Sequence, residues 1–196
     1  MFLVAGLGNP GEQYAATPHN MGFLVVDRLA ARHAVRVTRP ECQALVGQGT
    51  IGGHPVLLAK PQTFMNLSGV AVKPLLQKYE LLPASLLLVY DELDLPFGSL
   101  RIKPKGSAAG HNGILDVIAK LGTSEFPRLR MGVHPGHPIS SGIDYLLSRF
   151  TRRQTETLDQ LIDYGADAVE SIIAEGVEKS MTKFNRRAPG NTTEEE

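Results

Sequence analysis

The chain has 196 residues, 42% of them hydrophobic, a single cysteine and a formal net charge of zero. That length suits one domain around one sizeable core, and the lone Cys42 excludes an internal disulfide and a cysteine-rich metal site, which points to a reducing compartment. No apolar run approaches membrane-spanning length, and "MFLVAGLG" lacks the basic lead and cleavage site of a signal peptide, so a cytoplasmic protein is expected.

The elements follow from local pattern. "FLVAGL" (2–7) is a short apolar run ending in glycine, as a buried strand would be. "TPHNMGFLVVDRLAARH" reads as a helix, with Thr17 as cap, Pro18 in the first turn, and Met21, Leu24, Val25 and Leu29 along one face. "ALVGQGTI" and "PVLLAK" flank Gly52-Gly53, a two-residue hairpin signal. "SLLLVYD" (85–91) has the near-continuous apolarity of a strand buried on both faces. Strands "SLRIK" (99–103) and "LRMGV" (129–133) bracket a helix, "NGILDVIAKLG" (112–122). "TETLDQLIDYGADAVESIIAEG" (155–176) is a long amphipathic helix stopped near Gly176. Alternating strands and helices with one hairpin predict an α/β fold: a single domain over residues 1–187, with a twisted mixed sheet flanked by helices, then an acidic tail at 188–196.

Neutral net charge argues against strong nonspecific nucleic-acid binding, but the distribution is uneven. Cations gather at Arg101, Lys103 and Lys105, at Arg128 and Arg130, at Arg149, Arg152 and Arg153, and at Lys183, Arg186 and Arg187. A neutral protein can still present a basic face. Ordinary solvated charge is an equal competitor for this pattern.

Gly6, Gly8 and Gly11 stand at the G-x-G-x-x-G spacing of dinucleotide-binding loops. That fingerprint needs its helix to begin at the glycines, so that the helix N-terminus meets the pyrophosphate. Here Pro10 interrupts it, the helix begins only near Pro18, and Asp27 lies within the helix where a ribose-binding acid would follow a second strand. The dinucleotide reading is rejected.

In α/β sheets ligands bind beyond the carboxyl ends of the strands. Asn9, "QTFMN" and Asp91 all follow strands there. His19 opens a helix whose partial positive charge keeps an imidazole neutral, and a neutral imidazole can take a proton from water. Asp91 is the best-placed carboxylate to fix its tautomer. A capping His and a turn-forming Asp are the plain competitors. His134 and His137 in "HPGHP" read as a turn, since two ligands would not complete a zinc site. His111 is harder to set aside because it neighbours Asn112.

"GLGNPGEQYAATPHNMGF", "KPQTFMNLSG", "YDELDLPFG" and "GSAAGHNG" closely resemble the bacterial peptidyl-tRNA hydrolase family, in the family's order from about residue 2 to about residue 185. The resemblance implies a phosphorylase/hydrolase-like α/β fold and hydrolysis of the ester joining a stalled peptide to the tRNA ribose, which recycles tRNA for translation. It implies no metal or cofactor, peptidyl-tRNA as partner, no obligate protein partner, and a monomer. Carried over by motif, the general base falls on His19, its acidic partner on Asp91 and the peptide-sensing asparagine on Asn9. Asn66 and Asn112 match substrate-amide positions, while Tyr14 and Phe64, with Met65 beside them, match apolar walls near the ester. Ala108 and Ala109 depart from the glycines common in relatives, which implies a stiffer loop. Pro18 stands where some relatives have a basic residue, which removes one possible phosphate contact. Arg101, Lys103 and Lys105, alternating on one face of their strand, with Arg130 running near, form the expected strip for the tRNA backbone.

Two other readings stay open on the residues alone. A non-enzymatic RNA-binding protein would use the basic strip without needing His19 and Asp91. The second is another hydrolase on a related α/β scaffold, such as a peptidase, with the absence of a metal-ligand cluster in the sequence arguing against the metal-dependent kind.

Overall fold

The computed structural model describes residues 1–185. The expected boundary at 187, the acidic segment 188–196, Arg186 and Arg187 lie outside the described residues. Seven strands form one sheet: β1 (Phe2–Gly6), β2 (Arg39–Glu41), β3 (Ala44–Ile51), β4 (His54–Pro61), β5 (Leu86–Pro96), β6 (Leu100–Lys103) and β7 (Arg128–His134). Their spatial order is β2-β3-β4-β1-β5-β7-β6. The inner pairs β4–β1, β1–β5 and β5–β7 are parallel, while β2–β3, β3–β4 and β6–β7 are antiparallel. The helices are α1 (Met21–Arg32), α2 (Ser68–Lys78), α3 (Asn112–Leu121), α4 (Gly142–Leu146), α5 (Arg152–Glu175) and α6 (Val177–Phe184).

Alternation along the central strand explains the layering. Val4 enters a core shared with α1 and α5, built from Val25, Leu29, Ile162 and Val169. Leu3 and Ala5 enter a second core shared with α2 and α3, built from Val72, Leu75, Ile114 and Val117. A strand apolar at every position needs cover on both faces, and helices supply it. The hairpin turn has Gly52 and Gly53 at φ of 56° and 79°, the left-handed pair that a tight two-residue turn requires.

The structure departs from the predicted elements in a few places. Local pattern does not foretell α2, because Pro74 sits inside it and an internal proline reads as a breaker. α5 begins at Arg152, ahead of the expected start at 155, because Thr151 and Gln154 close a reciprocal capping box. The expected helix at Thr17 opens instead as a single 3-10 turn, Pro18–Asn20, before α1 takes over. The Thr17 side chain caps no helix; its hydroxyl donates to the Tyr14 carbonyl at 2.7 Å. β5 runs through Asp91 to Pro96, and its pairing with β7 shifts register between Glu92 and Pro96. Such irregularities re-aim side chains at the end of a strand.

Candidate active site

Two glycines let α1 approach the sheet closely. A Cβ on Gly22 would lie 2.3 Å from the Val89 carbonyl oxygen and 2.4 Å from the Leu7 nitrogen, and one on Gly6 would lie 2.1 Å from the Gly22 oxygen. The start of α1 therefore rests directly on the ends of β1 and β5. Since His19 lies just before that contact, the close approach brings it to β5, and to Asp91.

His19 is buried, and its Nδ1 lies 2.7 Å from Asp91 Oδ2. The other carboxylate oxygen, Oδ1, lies 2.9 Å from His111 Nε2. His111 also caps α3: its Nδ1 accepts from the backbone N–H groups of Gly113 (3.1 Å) and Ile114 (3.3 Å). An accepting Nδ1 carries no proton, so the neutral His111 holds its proton on Nε2 and donates it to Asp91. Asp91, 1% exposed, thus accepts from two imidazoles. Burial alone would push its pKa up, but His111 and His19 outweigh that and hold it well below the usual carboxylate range. For His19, burial lowers the pKa, while attraction and hydrogen bonding to Asp91 raise it, and the net shift is upward. The helix terminus, which disfavours the charged imidazole, is thus joined by a buried carboxylate in direct contact that favours it. Once Nδ1–H is committed to Asp91, Nε2 is the nitrogen left as base.

The cleft beside this array has a volume of about 270 Å³ and is lined in part by His19, Asp91, Glu92, Asp94, Asn112 and Ile143. Asn9 lies just past β1 and is buried. Its Oδ1 accepts the Met65 N–H at 2.7 Å, so the polar group left at the end of this side chain is the NH2 donor. Asn20 grips the Asn9 backbone from both sides: its Oδ1 accepts Asn9 N–H at 2.8 Å and its Nδ2 donates to Asn9 O at 2.9 Å. The loops after β1 and β4 are thereby joined, as the convergence of polar residues at the strand ends implied. Asn66 is exposed on the turn after Met65, Tyr14 is half-buried, and Phe64 is 58% exposed, a large apolar surface next to a polar site. None of Asn9, Tyr14, Phe64, Met65 or Asn66 lines the cleft itself. Met65 is buried in the core with α3, and a Cβ on Gly113 would touch its sulfur at 2.7 Å.

The sequence assigns no role to Asn20 or His111. The signal for Asn20 is position alone, next to a proposed base; that for His111 is its place before Asn112 at a helix start. His19, Asp91 and His111 are also the group of side chains, among the described residues, whose ligand atoms lie close enough to hold a metal ion, within 4.8 Å of one another. A metal there would have to displace both imidazole protons now bonded to Asp91, so the arrangement fits a hydrogen-bonded relay better than a ligand set.

The basic strip is corrected in part. Arg101 and Lys103 alternate with buried Leu100 and Ile102 and are exposed, as expected. Lys105 is exposed, 3.7 Å from Glu125. Arg128 and Arg130 are buried, at 1% and 8% exposure, and Arg130 Nε bonds Glu92 Oε2 at 3.1 Å. β7 lies inside the sheet between β5 and β6 and is buried at every position before His134, so its cations point into the molecule.

A family model described as peptidyl-tRNA hydrolase matches residues 3–193. The peptidyl-tRNA hydrolase of Solibacter usitatus is 61% identical over 195 residues, spanning 100% of both chains. That of Koribacter versatilis is 47% identical over 95% of this chain and 94% of its own. A crystal structure of peptidyl-tRNA hydrolase from Acinetobacter baumannii shares the fold with a TM-score of 0.89 and 33% identity, covering 96% of each chain. With a family model matched over nearly the whole chain, relatives this similar along their full length and the same fold, this chain belongs to the peptidyl-tRNA hydrolase family.

Proposed function

We propose that this protein hydrolyses the ester linking a peptide, or an N-blocked amino acid, to the 3′ ribose of tRNA, with His19 as general base. The observation that carries the reading is the Asp91 carboxylate shared by His19 and His111 at the edge of the cleft, with His19 Nε2 left as the proton acceptor. Water bonded to Nε2 gives up its proton as its oxygen attacks the ester carbonyl. The imidazolium formed is stabilised by Asp91, then returns the proton to the departing ribose oxygen. Asn9, whose side-chain Oδ1 is occupied by Met65 N–H, offers its side-chain NH2 to the developing oxyanion. An aminoacyl ester is already activated, so a base and amide donors suffice.

Asn66 and Asn112, both exposed and flanking the array, pair with peptide and acceptor-end amides and hydroxyls. Phe64 and Tyr14 form the apolar side of the peptide path, while Met65, buried against α3, supports them from the core. Arg101 and Lys103 meet the phosphate backbone, where charge and shape count for more than base identity. Arg130 can reach a phosphate only by leaving Glu92, so its part is to hold Glu92 at the cleft wall. No helix among the described residues is long and apolar enough to cross a membrane. The array is complete within one chain, which supports action as a monomer, and a tRNA substrate supports action in the cytoplasm.

The test is to incubate the protein, with EDTA, with N-acetyl-aminoacyl-tRNA and with free aminoacyl-tRNA. The expected outcome is rapid release of the blocked amino acid and slow release of the free one. Binding of both tRNAs without release of either would make the protein an RNA-binding module.

A further inference from the structure

Arg128 is the largest fully buried side chain among the described residues, at 1% exposure, and no carboxylate among them pairs with it. Removing a guanidinium from water without a counter-ion costs several kcal/mol, and a buried apolar side chain of similar size would avoid that cost. Its compensation comes from main-chain carbonyls. Nη1 donates to Ser107 O at 3.0 Å, Nη2 to Ser124 O at 2.8 Å and Nε to Phe126 O at 3.4 Å. The guanidinium also lies over the Phe126 ring, 4.3 Å from its centroid.

These carbonyls lie in the segments on either side of α3. Ser107 is in the loop before it, which ends in His111 and Asn112; Ser124 and Phe126 are in the loop after it. The first loop does not hold its shape by preference. Ala109 has φ of +46° and Gly110 of +80°, and a left-handed alanine is disfavoured by roughly 1 kcal/mol or more. A direct main-chain contact, Gly106 N–H to Ser124 O, is long at 3.4 Å. Beside Arg128 stands the Tyr90 phenol, and the Tyr90 ring packs edge-on against His111 at 4.9 Å.

We propose that Arg128 is a positioning residue for the reaction: by holding the carbonyls of Ser107 and Ser124 on one guanidinium, it fixes the loop at 104–111 and delivers His111 to Asp91 and Asn112 to the cleft. The catalytic meaning of that placement rests on the ester-hydrolase reading above; the loop geometry does not. A planar fork with several donors can satisfy two carbonyls at once, which a lysine ammonium on its flexible stem cannot do in the same plane.

The test compares Arg128→Met and Arg128→Lys with a control, Val117→Ala, which opens the α3 core away from the loop. Urea midpoint, kcat and KM on N-acetyl-aminoacyl-tRNA, the rate–pH profile, and amide exchange over residues 105–111 are measured for each. For Arg128→Met the expected result is a kcat lower by about 10–100-fold with KM changed little, since misplacement of catalytic groups by about 1 Å carries such a cost. Loop amides should exchange faster relative to sheet amides, with Arg128→Lys intermediate. With His111 withdrawn, Asp91 pulls harder on the His19 proton, so the acidic limb of the profile moves up. A folded Arg128→Met protein with wild-type kcat and loop exchange overturns the proposal, as does a Val117→Ala control of equal stability that reproduces its kinetic and pH changes. If Arg128→Met does not fold, Arg128→Lys decides: it keeps the charge but not the fork that holds both carbonyls, and unchanged kcat and loop exchange overturn the proposal. Wild-type protein that fails to cleave the ester refutes the hydrolase reading instead, while amide exchange still judges the loop.

Discussion

At the scale of single residues the site depends on one carboxylate serving two imidazoles. Replacing His19 with Ala removes the proposed base but none of the exposed cations, so kcat should fall by about 10²–10⁴-fold while tRNA affinity barely moves. Turnover near wild type in the folded variant would remove His19 from the mechanism. The pH dependence follows from the direction of the shifts. As the proposed base, His19 acts when neutral, and Asp91 raises its pKa, so the acidic limb of the rate profile should lie above the ordinary histidine value of about 6.5. Asp91→Asn removes the raising partner and leaves burial, which lowers, so the limb should move down while kcat drops; an unmoved limb would deny the coupling. For stability the signs oppose. The His19 contribution is fully present below its unfolded pKa and disappears as pH rises through the raised folded value. The Asp91 contribution is present above its unfolded pKa and disappears as pH falls through the depressed one. The Asn20 side chain bonds the Asn9 backbone, so Asn20→Ala should damage turnover through loop position. Rescue by Asn20→Asp should be poor, because a carboxylate cannot donate to Asn9 O; full rescue in the same kcat assay would refute this.

At the scale of elements the decisive contact is between α1 and the strand ends. Gly22→Ala places a methyl group against backbone atoms that cannot yield, so α1 must shift and carry His19 with it. The expected outcome is a loss of about 1–3 kcal/mol in stability, together with a drop in kcat larger than that loss would cause by unfolding. Denaturant melts read alongside kcat check it, and a normal kcat would show that α1 tolerates the shift. A second contact, between α1 and α5, is ionic: Arg28 pairs with Asp159 and Asp163, and Arg32 with Asp163, Asp167 and Glu170. These groups are partly exposed, so water and salt screen them, and the apolar packing of Val25 and Leu29 against Ile162 and Val169 holds the two helices together more than the charges do.

At the scale of the whole molecule, the proposed nucleic-acid contacts stand apart from the proposed catalytic groups. Arg101 and Lys103 stand on edge strand β6, with β7 between them and the strand that carries Asp91. Lys103→Glu with Arg101→Glu should raise KM for the full tRNA ester and flatten the dependence of log affinity on log salt, by somewhat under about one unit for each phosphate no longer met. Hydrolysis of a minimal ester carrying a short 3′ fragment should stay almost unchanged. Equal damage to both substrates would mean that these charges support the fold.

The sequence by itself determined the α/β alternation, the glycine hairpin, the long α5 helix and the candidate catalytic residues, because periodicity, turn chemistry and motif order are local properties of a chain. His19 and Asp91 were candidates from their places at a helix start and a strand end, and Asn9 and Asn112 from the resemblance of their motifs. Tertiary structure alone decided which atoms meet. That His111 turns its Nε2 to Asp91 depends on a helix cap placed 20 residues further along the chain, and that Asn20 holds Asn9 depends on a loop returning over the end of β1. The same holds for charge. A cation's neighbours in sequence say nothing of whether its strand is an edge or an interior one. So Arg101 and Lys103 on β6 meet solvent, while Arg128 and Arg130, one strand further in, are buried and must find their partners inside the protein.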